Sequence, residues 1–307
     1  MHAIKNGILM AVLAHSFIGA SLIWDKVLLR NPQTKNLPAY VFWLGAISIF
    51  GLALLPFGFH VPAPNLCAIA FLAGVLNLVA SWFYYYALNA GEASETLAIM
   101  GGFSPVATAL IAVPLLKQPL GRSPVAFSLM VAGGFVMFLS ENLNVRRVLP
   151  SVLTGSVTFG LVNVLEKIVY DQTNFVSGYV VFTLGTVAGA LAMLLRPSWR
   201  RQIFTTSENA PPRSRFWYFI NRFVNGLGSF LVYYAISLAA PALVDAITGL
   251  RYVIIFIGAW LLTRWHPDWL KEEFSGRVLL AKAGGTALVI AGLVLLSITE
   301  GGAASSG

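Results

Sequence analysis

The chain is a succession of long apolar segments separated by short polar links. A transmembrane helix needs about 20 apolar residues, and ten segments that meet this requirement can be marked off along the sequence. Their apolar runs are continuous, whereas the strands of a membrane β-barrel alternate apolar and polar positions. We therefore predict an all-α integral membrane protein with ten transmembrane helices, at residues 6–29, 39–59, 65–89, 95–116, 124–143, 149–170, 176–195, 216–239, 241–263 and 277–298.

The two halves of the chain resemble each other. Residues 81–88 (SWFYYYAL) match residues 229–236 (SFLVYYAI), and Asn77 falls on Asn225 in the same register. Each half holds five predicted spans, so the second half must enter the membrane in the opposite orientation. This is the inverted repeat found in many secondary transporters. We predict a first repeat over 1–147, a second repeat over 148–300 and a disordered tail over 301–307.

The composition excludes an ordinary soluble protein. Of the 307 residues, 57% are hydrophobic and 10% are charged, with a mean hydropathy of +0.77, whereas a soluble domain has about 25% charged residues. The net charge of +8 needs no nucleic acid, because the basic residues cluster in the links between spans. Cys67 is the single cysteine, which excludes an intrachain disulfide and a multi-cysteine metal site. We predict no cofactor and no metal.

The basic residues also predict an orientation. The links after spans one, five, seven and nine hold most of them, including Arg200, Arg201, Arg213 and Arg215. Because positive charge is retained in the cytoplasm, this distribution places both termini outside. The predicted location is the cytoplasmic (inner) membrane, which the chain crosses many times.

Several features together resemble the EamA branch of the drug/metabolite transporter superfamily. They are the five-span repeat, the Tyr85–Leu88 ending of span three, the short link over residues 91–94 and Pro105 inside span four. The resemblance covers nearly the whole chain. It implies a central cavity among spans one, three, four, six, eight and nine, and transport of small polar metabolites, amino acids, sugars, nucleotide-linked compounds or drugs. Ten-span members usually keep their termini in the cytoplasm, opposite to the charge distribution described above.

An acid and a lysine stand side by side near the end of two apolar runs. They are Asp25 with Lys26 and Glu166 with Lys167. A charge at such a position is costly unless it is paired, hydrated or used, and adjacent helix residues do not face each other. The inverted repeat places the two pairs at opposite membrane faces. The alternative for the lysines is that their side chains extend to the lipid head groups.

From this placement we predict gates that close alternately. When one face is closed, we expect Lys26 to contact Glu92 or Glu95, or Asp25 to contact Arg222. On the opposite face we expect Lys167 to contact Asp245. The resemblance assigns the acid–lysine pairs no role, because they are not general to the family. Asp25 and Glu166 are the candidate proton-binding carboxylates, since burial disfavours an ionised acid.

Arg251 is predicted to bind substrate. It lies near the middle of span nine, where a permanently charged arginine costs about 2.5–3.5 kcal/mol and must therefore face protein or water. Its planar guanidinium suits a carboxylate or phosphate in two contacts, and the alternative is a structural salt bridge to a buried acid. Asp245 is six positions away and predicted to be a poor partner. Further candidates for substrate binding are Tyr85, Tyr233, Asn77, Asn225, Thr248 and His15.

His15, near the middle of span one, has two interpretations. A histidine there could relay protons, because its ordinary pKa near 6.5 lets it change charge. It could equally be neutral and hydrogen-bonded to a neighbouring helix.

The function we predict is secondary active transport of a small polar, anionic metabolite by alternating access. The expected partners are a small-molecule substrate, the lipid bilayer and protons as the coupling ion. The sequence has no Ser-His-Asp or H-E-x-x-H arrangement, so we predict that the protein is not an enzyme. The alternatives are a flippase for a lipid with a small charged head group, a membrane-embedded enzyme, and a sensor or scaffold that transports nothing.

Overall fold

The fold is a bundle of α-helices. The structure is a computed structural model that describes residues 2–30, 36–90, 93–117, 124–140, 145–209, 212–265 and 276–302, and no strand occurs among these residues. In chain order the helices are α1 (His2–Arg30), α2 (Leu37–Ile47), a 3₁₀ helix (Ser48–Leu54), α3 (Pro64–Ala90), α4 (Ala93–Leu116), α5 (Pro124–Ser140), α6 (Val145–Tyr170), α7 (Phe175–Met193), α8 (Pro197–Asn209), α9 (Pro212–Leu238), α10 (Pro241–Ala246), α11 (Gly249–Trp265) and α12 (Gly276–Gly302).

Proline and asparagine residues begin many of these helices. Proline lacks an N–H group, and the first helical positions need none. The side chain of Asn36 accepts a hydrogen bond from the backbone N–H of Ala39 and caps α2, and Asn174 caps α7 in the same way through Ser177. Helices that begin with proline start at Pro64, Pro124, Pro197, Pro212 and Pro241.

Within the described part of the chain, six segments are long and apolar enough to cross a membrane. They are Lys5–Asp25, Leu37–Leu54, Pro64–Asn89, Val148–Tyr170, Phe175–Met193 and Pro241–Leu262. Shorter apolar stretches occur at Phe103–Leu116, Pro124–Val136 and Ala283–Gly292. The predicted class, an all-helical membrane protein, is confirmed for the described residues, whereas the number of ten spans stays a prediction. The predicted disordered tail lies outside the described residues from position 303 onward.

The predicted span at 241–263 is not one continuous helix. α10 ends at Ala246, and α11 begins at Gly249. Between them, the N–H of Thr248 donates to the carbonyl of Asp245 at 2.9 Å, and the N–H of Arg251 donates to that of Thr248 at 2.9 Å. These bonds close tighter turns than an α-helix does. The interruption therefore lies between Asp245 and Arg251, the two charged residues of this span.

The structure differs from the prediction in two other places. Span two was predicted to reach residue 59, but its helix tightens into the 3₁₀ turn and ends at Leu54. Beyond this point Gly58 has a φ of +87°, which favours glycine and is incompatible with a continuing right-handed helix. Between spans seven and eight, α8 occupies much of a link that the prediction left without a helix.

α3 and α9 occupy corresponding places in the predicted repeats and run antiparallel. Arg222 on α9 donates from Nη1 to the hydroxyl oxygen of Tyr85 at 2.6 Å. Further along, the hydroxyl of Tyr233 donates to Oδ1 of Asn77 at 3.0 Å. The residue number rises along α9 as it falls along α3, so the two helices point in opposite directions.

α5 and α12, the last helices of the two predicted repeats, are also antiparallel. Gly133 on α5 lies against the backbone of Gly285, and Gly292 on α12 lies against Met130. Glycine at these places lets the two backbones approach closely. The two pairs of corresponding helices therefore have opposite directions.

Candidate functional site

Four helices converge on the carboxylate of Asp25, near the end of α1. It accepts hydrogen bonds from the hydroxyl of Tyr40 on α2 and from the side chains of Asn221 and Arg222 on α9. The hydroxyl of Tyr85 on α3 also donates to it, at 3.3 Å. Asp25 is 1% exposed and Arg222 is 3% exposed. This group of residues, here named the Asp25 cluster, holds a fully buried ion pair with a satisfied carboxylate.

Aromatic rings surround the Arg222 guanidinium. Its central carbon lies 4.8 Å from the centre of the Tyr40 ring and 5.6 Å from the centres of the Tyr85 and Tyr218 rings. A cation over an aromatic face is attracted by the ring quadrupole, which offsets part of the cost of burial. Tyr218 also donates from its hydroxyl to the backbone carbonyl of Tyr40 at 3.0 Å. The cluster thus ties α1, α2, α3 and α9 together.

The predicted contact between Asp25 and Arg222 is present in the structure, while its role as a gate stays a prediction. The other contacts predicted on this face cannot be compared with the structure. Glu92 and the side chains of Lys26 and Glu95 lie outside the described residues.

His15 connects α1 to α10 and α11 in the middle of the bundle. Nε of Arg251 donates to Nδ1 of His15 at 2.8 Å, and Nε2 of His15 lies 2.9 Å from the carbonyl oxygen of Val244. An arginine N–H can only donate and a carbonyl can only accept, so Nδ1 is unprotonated and Nε2 carries the hydrogen. His15 is therefore a neutral imidazole here, and it is fully buried. Arg251 is half-buried.

Asp245 is held by small polar side chains. Thr108 on α4 donates to one carboxylate oxygen, and Nδ2 of Asn163 on α6 donates to the other at 3.0 Å. Ser104, one turn before Thr108, contributes a further hydrogen bond. Asp245 and Arg251 also attract each other electrostatically, which was not expected from their spacing on a continuous helix. The interruption between α10 and α11 changes that spacing.

The predicted contact between Lys167 and Asp245 is not made in this structure. Nζ of Lys167 lies 2.9 Å from Oδ1 of Asp171 and 3.5 Å from the backbone carbonyl oxygen of Ser237. Asp171 follows one turn later on the same face, the ordinary geometry of an (i, i+4) ion pair. Lys167 is therefore engaged by a partner that the prediction did not consider.

Glu166 lies near the end of α6 with no exposed surface. Neither carboxyl oxygen makes a hydrogen bond of ordinary geometry within the described part of the chain. The phenols of Tyr170, Tyr179 and Tyr233 are close enough to interact with it electrostatically. This place is here named the Glu166 pocket. Unlike Asp25, Glu166 has phenols but no arginine beside it among the described residues.

The remaining candidates for substrate binding are found in different settings. Tyr233 and Asn77 are hydrogen-bonded to each other, so these two predicted residues do come together. Thr248 is buried at the turn between α10 and α11, and Asn225 is half-buried on α9. Tyr85 lies in the Asp25 cluster rather than beside Arg251. No group of three or more metal-ligating side chains was found among the described residues.

Several residues of these clusters were not predicted as site residues. Asn163 was the easiest of them to predict from the sequence. It lies three positions before the candidate Glu166, and residues at this spacing are neighbours on one face of a helix. Tyr40 and Thr108 stand in apolar runs where a hydroxyl is unremarkable. Their sequence gives no sign of the carboxylates that they bind, 15 and 137 positions away.

The chain is similar to a family of transporters in sequence and to a known crystal structure in fold. Residues 5–140 match the family model of the EamA-like transporters, in the drug/metabolite transporter superfamily. The predicted resemblance is thereby confirmed, and the family is one of membrane transporters. A protein of known crystal structure shares the fold with a TM-score of 0.61 and 18% sequence identity, covering 97% of each chain. The comparison with curated proteins gave no match.

Proposed function

We propose that the protein is a secondary active transporter that moves a small polar, anionic metabolite across the cytoplasmic membrane by alternating access. The match of residues 5–140 to the EamA-like transporters supports transport as such. The substrate class and the mechanism are argued from the polar residues buried inside the bundle.

One observation carries the proposal: ionisable side chains lie inside the bundle at three places along otherwise apolar helices. The Asp25 cluster joins α1 and α9 near one end. Arg222 and Tyr233 are eleven residues apart on α9, which corresponds to about 16 Å along the helix axis, and Tyr233 is a neighbour of Glu166. Arg251 and Asp245 lie on α11 and α10. Charged residues inside a membrane protein typically mark a substrate or ion pathway.

The directions of the helices support alternating access. α3 and α9 are antiparallel, as are α5 and α12, and each pair joins corresponding helices of the predicted repeats. Opposite directions are what an inverted repeat requires, and in transporters of this plan one half moves against the other around a central site. The Asp25 cluster and the Glu166 pocket would then be the corresponding closures of the two ends.

Arg251 is the proposed anion-binding residue. It is half-buried, and its Nε is fixed on His15, which in turn is fixed on the carbonyl of Val244. These two hydrogen bonds orient the guanidinium of Arg251 relative to α1 and to the interruption between α10 and α11. A guanidinium held in one orientation is suited to a carboxylate or phosphate group.

The proposal is tested by uptake into proteoliposomes. The panel contains small carboxylates and phosphate esters, with neutral and cationic compounds of similar size. We expect anions to be transported, Arg251→Gln to weaken their binding at least about tenfold, and Arg251→Lys to weaken it less. Arg264→Gln is the matched control, because it removes the same charge from an exposed position on α11.

Two results would contradict the proposal. A folded Arg251→Gln variant that binds anions with wild-type affinity would exclude the role of Arg251. Translocation of a labelled lipid without uptake of any soluble compound would favour the flippase.

A further inference from the structure

We infer that Glu166 is a proton-binding site and that its carboxyl group carries a proton in the state that the structure describes. The effect of this site on transport rests on the proposed transport function. The presence of a proton on Glu166 does not depend on that function.

The first argument is the missing partner of a fully buried acid. Glu166 has no exposed surface, and within the described residues neither of its oxygens accepts a hydrogen bond of ordinary geometry. Tyr170, one turn later, is placed to share a hydrogen bond with it, but a phenol brings no positive charge. A buried carboxylate that no cation compensates is strongly destabilised, and it avoids this cost by binding a proton.

The second argument is the chemistry of the groups that surround it. The phenol of Tyr170 on α6 lies within hydrogen-bonding reach of the carboxyl group. Those of Tyr179 on α7 and Tyr233 on α9 are close enough to interact with it electrostatically. Phenols can donate or accept hydrogen bonds and carry no charge at neutral pH. They can therefore solvate a protonated carboxyl group without supplying the positive charge that a carboxylate needs.

The charged groups nearby are engaged elsewhere. Lys167, the next residue, is turned to Asp171 and Ser237. Asp245, on α10, accepts its hydrogen bonds from α4 and α6. α3 contributes the uncharged Asn77, which is bound to Tyr233. Among the described side chains, therefore, no cation contacts the Glu166 carboxyl group.

The third argument is the contrast with Asp25. Both acids precede a lysine near the end of a predicted first span of a repeat. Asp25 has Arg222 within ion-pair distance and three further donors. At the corresponding place the polar groups that the described residues bring to Glu166 are phenols and include no arginine. We therefore assign to a proton the charge compensation that Arg222 provides at Asp25.

Proton binding at this place would make the opening of this end depend on the pH of the water that enters it. When the helices around Glu166 separate and water enters, the carboxyl group can release its proton to that water and become hydrated. When they close again, it must take up a proton from water before burial. The proton would thus favour the closed state of this end, and a higher pH on the side to which it opens would favour the open state.

The direct test is infrared difference spectroscopy of the full-length protein in lipid, titrated from acidic to alkaline pH. A protonated carboxylic acid has a carbonyl stretch that a carboxylate lacks. We expect this band in the wild-type protein at neutral pH and its loss in Glu166→Gln, which resembles the protonated acid in shape. Asp171→Asn, which removes an exposed acid one turn away, should keep the band. Glu166→Asp should shift the frequency of the band. This variant provides the test if Glu166→Gln does not fold.

Two outcomes would overturn the inference: absence of the band from the wild-type protein at neutral pH, or its persistence in Glu166→Gln. A transport assay separates this inference from the proposed function. If the protein takes up an anion but lacks the Glu166 band, the proposed transport function stands and the proton site is excluded. If the band is present but no compound is transported, the proton site stands and the proposed transport function is excluded. If both hold, uptake by the wild-type protein should change with the pH on the side to which the Glu166 end opens, and uptake by Glu166→Gln should not change with that pH.

Discussion

Replacing Arg222 by glutamine should destabilise the protein more than any surface substitution. Arg222 is 3% exposed and forms an ion pair with Asp25, which is 1% exposed. The variant removes the positive charge and leaves the carboxylate buried. It also removes the contacts of the guanidinium with the rings of Tyr40, Tyr85 and Tyr218.

The size of the effect follows from what remains around Asp25. Removing one partner of a buried ion pair costs about 3–5 kcal/mol. Tyr40, Tyr85 and Asn221 continue to donate to the carboxylate, so we expect a loss near the lower limit, about 3 kcal/mol. In the double variant Asp25→Asn, Arg222→Gln no charge is left unpaired. Its loss should be smaller than the sum of the single losses by about 1–3 kcal/mol.

The assay is equilibrium unfolding in mixed detergent micelles, followed by tryptophan fluorescence. The matched control is Asp171→Asn, which breaks the ion pair of Lys167 with a partner that is 42% exposed. A pair of this kind contributes about 1 kcal/mol or less. The reasoning would be refuted if Arg222→Gln lost no more stability than Asp171→Asn, or if the two single losses simply added in the double variant.

Two further predictions concern packing and the carboxylate at the interrupted span. A Cβ on Gly74 would overlap the carbonyl oxygen of Phe182, so Gly74→Ala should force α3 and α7 apart and cost about 1–3 kcal/mol. Gly226→Ala is the control in the same unfolding assay, because nothing lies within 4 Å of its Cβ position and it should be neutral or stabilising. Asn163→Ala removes a donor from buried Asp245 and should cost about 1.5–3 kcal/mol. Asn163→Asp should cost more at neutral pH because it places a second acid there, and equal losses would contradict this.

Hydrophobicity and helix-start signals in the sequence were sufficient to locate most of the helices. Span three was predicted at 65–89 and is found at Pro64–Ala90, and span six was predicted at 149–170 and is found at Val145–Tyr170. In span three the apolar run has the length of a membrane crossing, and a proline occupies the first turn. In span six Pro150 lies inside the helix instead, and the predicted start is late.

The interruption at residues 247 and 248 could not be predicted in this way. Ile247 and Thr248 are compatible with a continuous membrane helix, and hydropathy does not detect a change from α to tighter hydrogen bonding. α8 was missed for a related reason: its sequence is polar along one face, so a search for long apolar runs passes over it. Local composition specifies where the chain is apolar, and it does not specify the hydrogen-bond pattern within such a segment.

The candidate site was predicted as single residues and not as clusters. Asp25, Glu166 and Arg251 stand out because a charge in an apolar run needs an explanation. Their surroundings depend on contacts across large distances in the sequence. The ion pair of Asp25 with Arg222 spans 197 positions, and the hydrogen bond of Arg251 with His15 spans 236 positions. Only the packing of α1 against α9 and α11 brings these residues together.

The two acid–lysine pairs show why similar sequences can serve different purposes at the two ends. In both, the neighbours in sequence point about 100° apart, so each acid depends on other helices for its environment. α9 supplies Arg222 to Asp25, while α7 and α9 supply tyrosines to Glu166. Opening the bundle at Asp25 must therefore separate or hydrate an ion pair. Opening it at Glu166 exposes an acid that water can ionise, and this becomes easier as the pH rises. The Glu166 end of the bundle would therefore respond to the pH on the side of the membrane to which it opens.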